Sequence, residues 1–186
     1  MKIFNNFLFD DTNQQTPTVL VCQQPPVLVP TEVFQLEKKL EYLSLYMDLD
    51  EFSEVFYEEI GEYQGLYALS QQDLFNLKRE YPQLSVRHLS LYAYQQFHQR
   101  GLTSFDNTLA LLLHGDTADF WLERECKLQL LNQFRFPTDT DGLYLAMNLL
   151  VQCHIDFSDG NILLCDLSKE HAALIELMKQ YLPSTD

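Results

Sequence analysis

The chain has 186 residues, 46% of them hydrophobic and 21% charged, with 13 Phe and 10 Tyr; a disordered chain is poorer in aromatics, and a folded one of this size hides about 70% of its unfolded surface without disulfides or metal. Its 12 Lys and Arg against 27 Asp and Glu give a formal charge of −15, which repels phosphates and anionic lipid, so no nucleic acid and no membrane is expected among its partners. No signal-peptide core follows Lys2, because Asn5, Asn6, Asp10 and Asp11 interrupt it, and the longest aliphatic run, Leu109 to Leu113, is far short of a membrane span.

A cytoplasmic address is the resulting expectation. Cys22, Cys126, Cys153 and Cys165 show no C-x-x-C spacing and read as reduced, mostly buried thiols.

In chain order, Val19–Cys22 and Val27–Val29 read as short extended pieces interrupted by Pro25 and Pro26, which cannot donate to a central ladder. Thr31 can cap a helix whose Val33, Leu36, Leu40 and Leu43 recur at the spacing of one buried stripe. Extended segments at Glu54–Ile60 and Leu66–Leu69 flank Gly61 and Gly65, the pattern of a hairpin or of a strand with a loop. Ser70 with Asp73 forms a capping pair ahead of Leu74, Leu77 and Tyr81, and Pro82 ends that helix. A strand over Leu84–His88 and a helix over Ser90–Arg100, with Gly101 as its C-cap, follow.

Thr103–Asn107, short and polar, is the expected boundary between residues 1–102 and 103–186. Beyond it, Leu109, Leu111 and Leu113 share a face, Gly115 to Thr117 turn, Phe120 and Leu122 alternate with Trp121 and Glu123, and Leu128, Leu130, Phe134 and Phe136 form a third run. Three consecutive antiparallel strands are predicted. The Asp139, Thr140 and Asp141 cluster opens a helix to about Cys153 that is apolar almost all round and so is expected to be covered on two sides. A strand over Asn161–Cys165 and a helix over Glu170–Tyr181 complete the order β-β-β-α-β-α.

That order resembles half of the actin-like ATPase superfold, in which two ribonuclease-H-like units each begin with a three-stranded meander. The chain is similar to a bacterial family of degenerate actin-like proteins of unknown function. The likeness is carried by Val19-Leu20-Val21, the run Leu28 to Phe34, Leu66-Tyr67-Ala68-Leu69 before a capped helix, His88 at a strand end, and Phe134 to Val151. It implies an α/β, ribonuclease-H-like architecture of two related halves, shortened at both ends: residues 1–102 with an incomplete first meander, and residues 103–186 without a final strand after Tyr181.

Actin-like ATPases carry an Asp-x-Gly-Thr type motif on the first hairpin, where it holds metal and phosphate. The resemblance puts His114-Gly115-Asp116-Thr117 at that turn, with His114 where the acid is expected and Asp116 where the glycine is expected. A relic phosphate turn that holds no cofactor is implied. No Walker or G-x-G-x-x-G glycine pattern occurs among the 6 Gly, and no G-x-S-x-G elbow is present.

Cys153, His154, Cys165 and His171 are a thiol and imidazole group without a common zinc spacing, so no metal site is expected. Asp48 to Glu62 holds seven acids and no Lys or Arg; as a calcium loop it fails at Phe52 and Ser53, and it reads as a solvated acidic edge or a docking surface for a basic partner. With no catalytic residue evident, the preferred reading is a non-catalytic interaction or scaffold protein with a protein partner or a homodimer. A nucleotide-binding switch with a relic ATPase cleft and a small-molecule enzyme with a dispersed site are the alternatives.

Overall fold

Apolar alternation, broken by glycine and proline, lays down the strands. The computed structural model describes residues 2–4, 18–101, 107–154 and 161–181; most of the expected boundary segment, residues 103–106, lies outside them. After β1 (Lys2–Phe4) come β2 (Thr18–Val21), β3 (Val27–Pro30), α1 (Lys39–Ser44), β4 (Glu54–Ile60), β5 (Tyr63–Leu69), α2 (Gln71–Glu80), β6 (Ser85–His88) and α3 (Leu89–Gln99). The remainder is β7 (Asn107–His114), β8 (Thr117–Arg124), β9 (Lys127–Arg135), α4 (Asp139–Gln152), β10 (Asn161–Asp166) and α5 (Ala172–Tyr181). The chain divides into two units, Met1–Asp10 with Phe97–Asp186, and Asp11–Gln96.

In the first unit the strands are ordered β1-β10-β7-β8-β9. The predicted meander is present: β7 pairs antiparallel with β8, and β8 with β9. Its hairpins turn on two residues each, Gly115 and Asp116 in one, Glu125 and Cys126 in the other. Glu125 and Cys126 both take positive φ, the geometry that matches strand twist in a two-residue hairpin. Parallel to β7 runs β10, and parallel to β10 runs β1, with Ile3 opposite Leu164. A three-residue strand from the chain start thus lies beside β10, in the unit built from the C-terminal residues.

Leu109, Leu111, Phe120, Leu122, Ile162 and Leu164 form one sheet face, packed with Ala146 and Leu150 of α4 and Leu174 and Met178 of α5. The opposite face is equally dry: Leu112, Asp119, Trp121, Glu123 and Leu163 are wholly buried. Burial of both faces explains the unbroken Leu109–Leu113 run. Phe97 meets Trp121 edge-on at 5.1 Å between ring centres. Thr138, not the Asp139–Asp141 cluster, caps α4, accepting from the Asp141 amide and donating to its carboxylate. That helix buries Gly142, Ala146 and Leu150 while Tyr144 and Val151 stand exposed, so it is covered on one side and not on two.

In the second unit β3, β5 and β4 form an antiparallel sheet and β2 pairs parallel with β6. Gly65 lies inside β5 and not in a flanking loop. Ser70 caps α2 as predicted, accepting from the Asp73 amide at 3.1 Å and donating to the Asp73 carboxylate at 2.7 Å.

The helix expected from Thr31 does not form. Residues 31–33 turn, Leu36–Lys38 make one 3-10 turn, and the α-helix begins only at Lys39, with no side-chain cap. Of the predicted buried stripe only Leu43 is in the core, with Val29, Val55 and Leu66; Val33, Leu36 and Leu40 are exposed.

Candidate functional site

The β7–β8 turn is where the resemblance places a phosphate site. Gly115 takes φ of +57°, which lets the chain reverse in two residues. His114 donates through Nε2 to the buried Asp119 carboxylate at 3.1 Å, and Asp119 also accepts from Gln133 Nε2 at 2.7 Å. Thr117 Oγ1 donates to Asp116 Oδ1 at 3.1 Å, and the exposed Asp116 carboxylate lies 4.0 Å from Arg135.

His171, from the start of the last helix region, closes the turn from outside. Its Nε2 donates to the Gly115 carbonyl at 2.6 Å, while Nδ1 faces the Asp139 carboxylate at 3.3 Å. Asp166, at the end of β10, fixes the loop that carries His171: its oxygens accept from Ser168 Oγ and from the Lys169 and His171 amides at 2.9, 2.9 and 3.0 Å. Four carboxylates, Asp116, Asp119, Asp139 and Asp166, and the imidazoles of His114 and His171 therefore gather about a turn whose glycine carbonyl is already bonded. An anion cradle needs converging N–H donors and positive charge; here the Nε2 donors of His114 and His171 are directed at Asp119 and the Gly115 carbonyl, and the cation at the turn, Arg135, lies beside Asp116.

The role of His171 at the turn escapes a sequence reading because its partner Gly115 is 56 residues away; Asp166, bonded only within its own loop, carries no motif that marks it. Removing the imidazole, as in His171→Ala, should cost about 1.5–3 kcal/mol, the worth of a hydrogen bond to a charged partner plus an unmet carbonyl. Urea unfolding of the variant checks this.

The second unit holds a cleft of about 210 Å³ lined by Val21, Gln24, Met47, Tyr67, Asp73 and His88, among others. His88 is wholly buried; Nε2 donates to the Gln24 carbonyl at 2.8 Å, and Nδ1 accepts from the Ser90 amide at 3.2 Å. Tyr67 donates from its hydroxyl toward Glu58 at 2.9 Å and toward the Val86 carbonyl at 3.1 Å. Burial, then the Glu58 charge, pushes its pKa well above the ordinary tyrosine value. The tyrosine hydroxyl is therefore not placed to give up a proton at neutral pH.

Glu58 corrects the reading of Asp48–Glu62 as one solvated edge. Its side chain is only 12% exposed and paired with Arg87, and it also accepts from the His88 amide at 2.9 Å. Tyr57, next to it on β4, is exposed.

Among the described residues no group of three or more His, Cys, Asp or Glu is arranged to hold a metal. Cys153, His154, Cys165 and His171 form no such group. No cysteine is disulfide-bonded, but only Cys165 is buried; Cys126 is exposed and Cys22 and Cys153 are half-buried, against the expectation of mostly buried thiols. Burial, with Asp166 adding to it, pushes the Cys165 thiol up to about 12. Its contribution to stability is present below the ordinary thiol value and is lost as pH rises from there toward 12. Thiol alkylation of the folded protein at neutral pH should therefore modify Cys126 first and reach Cys165 only on unfolding, as peptide mapping would show.

The model of a family described as "Protein of unknown function (DUF3822)" matches residues 3–185. No curated protein sequence matches the chain. The crystal structure of a Bacteroides thetaiotaomicron VPI-5482 protein with an actin-like ATPase fold and unknown function is similar at a TM-score of 0.74 and 14% identity. The alignment covers 90% of this chain and 66% of that one, so the chain spans just under two thirds of its length. A likeness of this kind shows the fold: the chain is a mixed α/β protein with the actin-like ATPase architecture. No described helix is long and apolar enough to cross a membrane.

Proposed function

We propose that this chain, which belongs to the DUF3822 family, is an interaction or scaffold protein that uses a degenerate actin-like fold for its surfaces and carries out no reaction. The observation that supports this most is the turn from His114 to Thr117. Its glycine carbonyl is bonded by His171 and its histidine by Asp119, and Asp116 adds a negative charge where a nucleotide would bring more. On this reading the turn is a relic that holds no phosphate. The formal charge of −15 favours a protein partner over nucleic acid, and four cysteines outside any disulfide fit the cytoplasm.

A ligand that binds only the folded state raises its melting temperature by mass action. ATP or ADP with magnesium should therefore leave the melting temperature unchanged. A saturable rise at submillimolar nucleotide would overturn the reading in favour of a nucleotide-binding switch. The cleft of the second unit is the observation that favours a small-molecule enzyme. Its histidine already uses both ring nitrogens and its tyrosine hydroxyl is held by Glu58 and Val86, which weighs against acid–base chemistry there.

A further inference from the structure

Twelve large hydrophobic side chains stand exposed among the described residues, and seven of them fall between Val33 and Tyr57. Val33, Leu36 and Leu40 follow one another along a turn, a 3-10 turn and the first turn of α1, and each is about half exposed. Their backbone is nevertheless tied down from the inner side. Leu43 is buried, Lys39 Nζ donates to the Val55 carbonyl at 2.8 Å, and Tyr42 donates from its hydroxyl to the Val33 carbonyl at 2.9 Å. The Tyr42 hydroxyl also accepts from the Gln35 amide at 3.2 Å. Phe34 sits between Tyr42 and Tyr57, with ring centres at 6.0 and 5.6 Å, and joins this segment to the exposed face of β4. A held, outward apolar surface of this kind marks an interaction site.

Charge identifies the occupant. Residues 31–62 carry ten carboxylates and two lysines, and every carboxylate but Glu58 is exposed. Lys39 is committed to the Val55 carbonyl, which leaves Lys38 alone against nine exposed acids. A second copy docked face to face would set these acids against one another, a juxtaposition that costs several kcal/mol. A partner with an apolar stripe and a basic margin meets both features.

Resting on the interaction-protein reading, we propose that the surface from Val33 to Tyr57 docks a cationic amphipathic helix of another protein. Apolar side chains at helical spacing lie along Val33, Leu36 and Leu40, and lysines or arginines of the partner reach the flanking Glu32, Glu37 and Glu41.

The test uses the full chain and two synthetic peptides of one composition, a Leu/Lys/Arg amphipathic helix and its scrambled isomer, with binding followed by fluorescence anisotropy. The amphipathic peptide should bind saturably and more tightly than its isomer, and weaken as salt rises. Leu36→Ser with Leu40→Ser should reduce affinity about tenfold or more without lowering the melting temperature, because both side chains are exposed anchors. Glu37→Gln with Glu41→Gln should flatten the salt dependence.

Equal binding of the two peptides, no binding of either, or undiminished binding by the Leu36/Leu40 variant would overturn the proposal. Sedimentation in which the parent dimerises and that variant does not would name a second copy as the occupant. It would overturn the cationic helix while leaving the interaction-protein reading intact, and that reading fails separately if nucleotide raises the melting temperature.

Discussion

Glu58→Gln should destabilise the folded chain by about 3 kcal/mol, whereas Glu54→Gln and Glu59→Gln, on the same strand, should stay within about 0.5 kcal/mol. The carboxylate of Glu58 faces donors on every side: the Tyr67 hydroxyl and His88 amide at one oxygen, the Arg87 guanidinium at the other. An amide in its place must point its own N–H groups at one of these donors, and it leaves a mostly covered guanidinium without a counter-charge. Glu54 and Glu59 are exposed, so their loss removes only weak interactions in water. Urea midpoints for the three variants decide the point. Equal, small shifts would mean that the Glu58 cluster contributes no more than a solvated acid does.

Much of the fold is legible because local signals and tertiary contacts agree. The β7–β8–β9 meander has period-two alternation and two-residue turns, and α2 follows Ser70, whose side chain bonds the amide three residues on. Where the reading fails, a local signal lacks information about what lies opposite. Helical spacing in Val33, Leu36, Leu40 and Leu43 reports that a stripe exists, but not that only Leu43 has a core to enter. A run of acids reports charge, but Glu58 is decided by Arg87, 29 residues away, and by a strand pleat that turns it from Glu59. The three-residue β1 is too short to carry a period at all.

The candidate turn shows the same division. His114 to Thr117 reads as a hairpin from its Gly-Asp pair, and the family resemblance says why that hairpin matters. Nothing local announces that His171 closes it, because its bond to the Gly115 carbonyl exists only once β10 lies beside β7.

Gly65→Ala should destabilise by about 1–3 kcal/mol, although alanine in mid-strand is ordinarily about 0.5–1 kcal/mol better than glycine. Gly65 lies on the central strand β5, opposite Leu28 on one side and Glu58 on the other. A methyl group added there would come within 2.7 Å of both terminal carbons of Leu91, which is wholly buried on α3. No positive φ is at stake, so the sign of the effect rests on packing alone. Leu91→Ala by itself should cost about 2–5 kcal/mol, because it leaves a void over the glycine. In the double variant the new methyl enters the space the leucine vacates, and the total should fall short of the sum of the two costs by about 0.5–3 kcal/mol. Urea unfolding of the four proteins at a common slope gives the coupling directly, and strict additivity would show that the leucine does not rest on Gly65.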